Sequence, residues 1–286
     1  MHARLSPSTT RFVSMIEMKI ELRAAAWGAL RAAEVDDKLA RVAALHGAEA
    51  ADEVDLDPAC ILPVAATPGR PLKPVLVHPA RVPKRRLGTP AGRAALLHAL
   101  AHIEFNAVNL ALDIIARFAG LPREFYLDWL QIAAEEALHF KLLRQHLGEL
   151  GGAYGEFPAH DGLWEAAAKT RDDVLARLGL VPRILEARGL DVTPGLQQRL
   201  ARAGDHAAAA ILARVLTDEI GHVAIANRWF DYVCAARGVE PTATFRHLCQ
   251  EYGMRLPQPP FNHTARLAAG FTQAELIALA ALRTSA

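Results

Sequence analysis

A lone glutamate followed, about one helical hairpin later, by Glu-x-x-His occurs twice in this 286-residue chain. Glu104 precedes Glu136-Ala-Leu-His139 by 32 residues, and Glu186 precedes Glu219-Ile-Gly-His222 by 33. Residues three apart share one face of an α-helix, so each Glu/His pair can address a single ion. The pairs alone are weak signals, because 12 histidines and 17 glutamates in 286 residues yield somewhat under one such pair by composition. The matched upstream glutamates, all in segments with a helical pattern, make the arrangement informative. It calls for four helices turning Glu, Glu-x-x-His, Glu and Glu-x-x-His toward one axis, the way helical bundles hold two metal ions.

Composition narrows the class. Aromatic residues make up only 6% of the chain and β-branched runs are scarce, which predicts an all-α protein. The length suits one large elaborated domain as well as two. A net charge of +1 gives no global field that would recruit nucleic acid or a membrane. Cys60, Cys234 and Cys249 are too few and scattered for a disulfide framework or a thiolate zinc site, and a reducing, cytoplasmic setting is expected. No apolar stretch reads as the roughly 18 residues of a membrane span, and Arg4 and Arg11 have no signal-peptide core beside them.

Four regions are expected. Residues 1–15 read as a disordered N-terminal extension, with Met15 or Met18 an equally good start to the helical pattern. Residues 16–90 hold two short helices, broken near Glu34–Asp37, then a stretch with Pro58, Pro63, Pro68, Pro71, Pro74, Pro79, Pro83 and Pro90. Prolines at that density exclude a helix and predict an extended arm, anchored by Ile61, Leu62, Val75, Leu76 and Val77. Residues 91–240 hold the bundle. Its first helix runs from the Thr89-Pro90 cap to Gly120 and its second from Pro122 to about Gly148. After a crossover at Gly151-Gly152, a third runs from Asp161 to Gly189, kinked or broken at Gly179 and Pro182. Thr193-Pro194 opens a short helix, and the fourth bundle helix spans about Asp205 to Gly238. Residues 241–286 form a helical tail packed on the bundle, its last helix opened by the capping box Thr272-Gln-Ala-Glu275.

The candidate metal ligands are Glu104, Glu136, His139, Glu186, Glu219 and His222. Leu100, Ala107, Val108 and Ala111 flank Glu104, and Ala133 and Phe140 accompany Glu136. A carboxylate on such an apolar face is costly unless something neutralises it, and a dication does so. Four carboxylates and two imidazoles without thiolate suit two Fe ions, with Mn or a mixed Fe/Mn pair using the same donors. By analogy with such centres, Glu136 and Glu219 bridge while Glu104 and Glu186 are terminal. Glu165 or Asp172 replaces Glu186 if the Pro182 kink rotates the third helix. Glu135 and Asp218 directly precede the two motifs, in position to accept a ligand histidine's second N–H. His98 and His102 are assigned structural roles, since His102 lies about 200° around the helix from Glu104.

The runs His102-x-Glu104-x-x-Ala107, Glu136-x-x-His139, Val181-Pro-Arg-Ile-Leu-Glu-Ala-Arg-Gly-Leu-Asp-Val-Thr-Pro194 and Asp218-Glu219-x-x-His222 resemble a bacterial group of uncharacterised ferritin-like domain proteins. The resemblance extends from about Glu21 to Gly253, with Leu185-Glu-Ala-Arg-Gly its most specific element. More distantly the chain looks like the di-iron tRNA hydroxylase acting on methylthio-isopentenyl-adenosine. The resemblance implies a ferritin-like four-helix bundle with the six ligands, and no particular substrate.

The leading expectation is an O₂-dependent di-iron oxidoreductase, a hydroxylase or oxygenase, acting on an unknown small molecule with an electron donor. No tyrosine sits within two turns of a ligand on the same face, which argues against a tyrosyl-radical generator. Ala107, Ala111, Ala133 and Ala226 either leave room for a substrate or pack closely. The alternative is an iron- or manganese-handling or peroxide-scavenging protein without an organic substrate. An interaction module with a vestigial bundle fits less well with a full ligand set. The run Arg81, Lys84, Arg85, Arg86 is either an RNA phosphate contact or a solvated face. A homodimer is a candidate assembly.

Overall fold

A computed structural model of the chain describes residues 19–63, 67–82 and 86–281. The expected extension at 1–15 lies outside these residues, as do Pro83, Lys84 and Arg85. Among the described residues the protein is all-α apart from a two-residue parallel pair, Ile20–Glu21 (β1) beside Val54–Asp55 (β2), and an isolated bridge between Leu76 and Ala159. The first helix therefore starts later than the pattern from Ile16 predicts. It is α1 (Leu22–Arg31), whose free Ala24 N–H is accepted by the Glu21 carboxylate. The expected break near Glu34 separates it from α2 (Val35–Ala50), with Asp36 and Asp37 at the electropositive first turn.

The proline-rich arm is extended but for a single 3₁₀ turn at Pro79–Arg81. Only some of its predicted anchors hold: Leu62 and Val77 are half-buried, whereas Ile61 is 92% exposed and Val75 and Leu76 also face outward. Pro68 and Pro74 are the buried residues of the arm's described part. A proline ring carries no N–H, so burying it leaves no donor unsatisfied. The backbone supplies the remaining hold. Gly69 N–H donates to Leu30 C=O at 2.9 Å, Val77 N–H to Ala159 C=O at 2.8 Å, and Ala159 N–H to Val75 C=O at 3.1 Å.

The next helix, α3 (Pro90–Arg117), opens with Thr89 Oγ1 accepting from Gly92 N–H at 3.1 Å and proline in its first turn. A Cβ on Gly92 would meet Arg86 O at 1.9 Å, so this close approach admits only glycine. By length and hydropathy α3 is long and apolar enough to cross a membrane, contrary to the sequence reading; 83% of its apolar window is buried inside the protein. The apolarity is that of a core helix packed against α1, α4 (Arg123–Glu149) and α5 (Gly162–Lys169).

After the crossover, the interruption expected at Gly179 and Pro182 is present, and the segment is divided further, into α5, α6 (Val174–Leu180), a π-helical turn (Val181–Glu186) and α7 (Ala187–Arg202). Pro182 removes a ladder N–H and its ring crowds the preceding turn, and the wider π turn absorbs both effects. Pro194 does not open a helix but lies inside α7, whose fully buried Leu190 and Leu200 hold the helix on either side of it. Then α8 (His206–Arg237) begins with Asp205 accepting from Ala208 N–H and ends at left-handed Gly238.

The tail forms α9 (Pro241–Glu251), α10 (His263–Ala268) and α11 (Gln273–Ala281). The predicted capping box is in place: Thr272 N–H donates to Glu275 at 2.8 Å and Glu275 N–H to Thr272 Oγ1 at 3.1 Å. In the body of the fold, α3 packs along α4, α7 along α8, and α4 against α8. Three buried arginines fasten the periphery. Arg266 pairs with Asp191 at 2.7 Å, and Arg177 with Asp113 of α3 at 2.6 Å. Arg183 of the π turn donates to Glu275 at 2.7 Å while lying 4.7–5.1 Å from the rings of Phe230, Phe245 and Phe271.

Candidate metal centre

Glu104 comes from α3, Glu136 and His139 from α4, Glu186 from the end of the π turn, and Glu219 and His222 from α8. One ligand atom from each of Glu104, Glu136, His139 and Glu219 lies within 4.8 Å of the others. Glu136 is the centre of the group. Its Oε2 is 3.3 Å from His139 Nδ1 and its Oε1 is 3.2 Å from His222 Nδ1. His139 Nδ1 is also 3.6 Å from Glu104 Oε2, and His222 Nδ1 is 3.7 Å from Glu219 Oε2. The two imidazole centroids are 5.9 Å apart.

The acids preceding the motifs pair crosswise. His139 Nε2 of α4 meets Asp218 of α8 at 3.0 Å, and His222 Nε2 of α8 meets Glu135 of α4 at 2.7 Å. Each histidine turns Nδ1 toward the glutamate three residues before it, so Nε2 points across to the other helix. Asp218 is in turn gripped by Arg214 at 2.5 Å, and Glu135 by Gln131 at 2.7 Å. Both ring nitrogens of both histidines are thus committed in direction, with Nδ1 facing the carboxylate cluster.

Glu186 is not one of the tight group of four. It stands beside the group: burial and the charges of Glu219 and Glu136 push its carboxyl up to about 8. The alternatives Glu165 and Asp172 are exposed and are not brought to the cluster. Placing a site carboxylate at the end of a π turn follows from Pro182, because the wider turn resets the phase of the helix before Glu186.

Burial and Glu136 raise the Glu104 carboxyl well above its ordinary value, and burial and Glu136 raise Glu219. Burial opposes the charged form of His139, yet the carboxylates of Glu104 and Glu136 facing its ring push it up to about 11. His222 is raised well above its usual value by Glu135, Glu136 and Glu219 against the same burial. Glu136, although buried, is lowered by the two histidines it lies between. So much buried negative charge needs cations, and protons on the imidazoles are the minimum that supplies them.

Glu104 Oε2, Glu219 Oε2 and His222 Nδ1 are buried without a hydrogen-bond partner, and all three belong to this cluster. Orphaned acceptors converging with an orphaned ring nitrogen fit a cation better than a protonated network, which would leave lone pairs unused. The donor set is carboxylate and imidazole without sulfur, so the residues fit a hard to borderline dication.

The small residues Ala107, Ala111, Ala133 and Ala226 are all buried. His98 and His102 are buried too, His98 accepting from Gly155 N–H at 2.9 Å and His102 bonded to Tyr154 at 2.9 Å. Tyr154, on the crossover loop, was not anticipated near the bundle. Its ring meets Phe140 at 5.0 Å and Phe105 at 6.0 Å, the neighbours in sequence of His139 and Glu104. A search along each ligand's own helix face cannot find a side chain delivered by a loop.

Residues 29–277 match the family described as "Protein of unknown function (DUF455)". An uncharacterized protein of Haemophilus influenzae is 49% identical over 213 residues, covering 72% of this chain and 74% of the relative. No solved structure gives a significant match.

Proposed function

This chain belongs to the DUF455 family, and from that premise we propose that it is a dinuclear metalloprotein acting as an O₂-dependent oxidoreductase. The reading keeps the ferritin-like bundle as its architecture, with Glu104, Glu136, His139, Glu186, Glu219 and His222 holding two Fe ions. The observation that carries it is Glu136 lying between two imidazoles, 3.3 Å from one and 3.2 Å from the other, with orphaned oxygens of Glu104 and Glu219 on either side. A bound, reduced iron pair supplies O₂ activation.

The chain's own residues define the rest. Glu136, facing both imidazoles, would hold the metal together with Glu104 beside His139 and Glu219 beside His222. Asp218 and Glu135 hold the imidazoles in orientation and keep Nδ1 free of its proton once a cation is present. Glu186 stands next to Glu219 and Glu136, whose charges together with burial raise its carboxyl, so a nearby cation would favour its ionised, ligating form. Close packing around the cluster excludes bulk water.

Metal content measured by mass spectrometry, beside the Glu136→Ala/Glu219→Ala double variant, tests the reading. About two Fe or Mn per chain, lost in the variant, is the expected result. Oxygen-consumption assays with a reductant and candidate substrates then separate an oxygenase from an iron- or manganese-handling protein, which would consume O₂ with Fe²⁺ alone. No transition metal after anaerobic Fe²⁺ reconstitution overturns the proposal.

A further inference from the structure

A cavity of about 370 Å³ opens between the proline-rich arm and α3. It is remote from the ligand face of that helix: Asn106 and Asn109 lie about 200° and 140° around the axis from Glu104. Its outer wall is apolar and open to solvent, with Leu72 99% and Val75 61% exposed. Its inner wall is polar, and the hydrogen-bond directions there can be worked out one by one.

Lys38 Nζ donates to Asn109 Oδ1 at 2.5 Å, which fixes the amide and turns its other end away. Asn109 is fully buried, and its Nδ2–H has no acceptor. Asn106 Nδ2 donates to His102 C=O at 3.2 Å, so the nitrogen is the donor end, and the same group reaches His102 Nε2 at 3.0 Å. His102 Nε2 is therefore an acceptor and its proton sits on Nδ1, which donates to Tyr154 Oη at 2.9 Å. That leaves the Tyr154 hydroxyl hydrogen to donate onward, and burial keeps the phenol protonated by raising its pKa. Arg70 spends one nitrogen on Asp161 at 2.6 Å, and its Nε–H is buried without an acceptor.

Three residues lining one cavity thus carry donor hydrogens: Arg70 Nε and Asn109 Nδ2 are buried without an acceptor, and the Tyr154 hydroxyl hydrogen is left over from its bond with His102. An alcohol or an amide entering here would bring donors of its own. A carboxylate brings only acceptors, with about four lone-pair directions on two oxygens. One guanidinium already shared with Asp161 suits a monoanion better than a phosphate dianion. We propose that this cavity binds a small organic carboxylate, its head on the donors of Arg70, Asn109 and Tyr154 and its apolar body against Leu72, Val75 and Leu76. The site is separate from the metal centre and does not depend on metal.

Saturation-transfer NMR of the full chain with sodium hexanoate tests this, with hexan-1-ol as the matched neutral probe. Hexanoate binds, and hexan-1-ol binds about tenfold more weakly or not at all. Tyr154→Phe and Arg70→Met each raise the hexanoate Kd about tenfold. Leu76→Trp, which fills the cavity from an exposed position, abolishes binding while the helical circular dichroism is retained. Because carboxylates also ligate metals, the titration is repeated on the Glu136→Ala/Glu219→Ala variant, where binding persists. Equal affinity for hexan-1-ol, indifference to Leu76→Trp with Tyr154→Phe, loss in the metal-ligand variant, or no binding overturns the proposal.

Discussion

On the side of α3 that carries Glu104, carboxylates push the imidazoles of His139 and His222 toward the charged form, whereas on its other side burial pushes His98 and His102 toward the neutral one. Burial acts in the same direction on all four, against the charged form. The outcome differs because of what faces them. His139 and His222 each meet carboxylates at 3.7 Å or less. His98 meets a backbone N–H, and His102 a phenol and an amide. Burial pushes both down to about 4. The same residue type, equally hidden from water, is thus drawn toward positive charge, or toward a cation beside it, in one setting and serves as a neutral hydrogen-bonding ring in the other.

The largest expected effect removes the acid that makes the difference. Glu136→Ala leaves two imidazoles without their shared carboxylate, and bound metal measured by mass spectrometry falls to background. Retained metal would break the comparison at its strongest point.

Next comes acid. A buried neutral histidine with a folded-state value near 4 and an ordinary unfolded value near 6.5 binds more protons unfolded than folded between those limits. Stability is therefore intact above about pH 6.5 and falls as pH drops toward 4, with the unfolding constant rising roughly tenfold per pH unit for each histidine. Urea titrations of the wild type and His102→Gln across this window check it, and the variant has the shallower slope. Equal slopes would mean that His102 is not the neutral partner described.

A smaller change probes the third charged residue of α3. Arg177→Met leaves Asp113 with Arg117 alone in a buried site, at a cost of about 3 kcal/mol in urea unfolding, with metal content unchanged. Metal loss here would show that the two faces are not independent.

The mildest variant sharpens the comparison. Asp218→Asn keeps the shape but removes the charge that orients His139, and metal affinity falls about 10- to 100-fold in chelator competition. Glu135→Gln does the same through His222.

Much of the cluster was legible because a helix face is a local property. Spacing of three within each motif, and a hairpin's length between motifs, suffices to bring Glu104, Glu136, His139, Glu219 and His222 together. Glu135 and Asp218 were recognisable as partners for histidine, but their crossed pairing was not, since it depends on how α4 and α8 lie against each other. Pro182 announced a break without saying that the chain would answer with a π turn, and Pro194 looked like a start because propensity ignores the packing of Leu190 and Leu200. The cavity was out of reach of sequence. It exists only where the arm, the crossover loop and the far side of α3 meet, and the arm buries Pro68 and Pro74 more deeply than the aliphatic residues that hydrophobicity favours.

The crossed acids have one more consequence. What α4 offers to α8, α8 returns to α4, an exchange of the kind found at isologous interfaces between identical subunits, here within one chain. Such reciprocity acts as a register lock. Sliding either helix by one turn, about 5.4 Å, would break both contacts together and leave two imidazoles and two acids unmatched at once. The alignment of the two helices is therefore secured twice over, and neither half of the lock can slip alone.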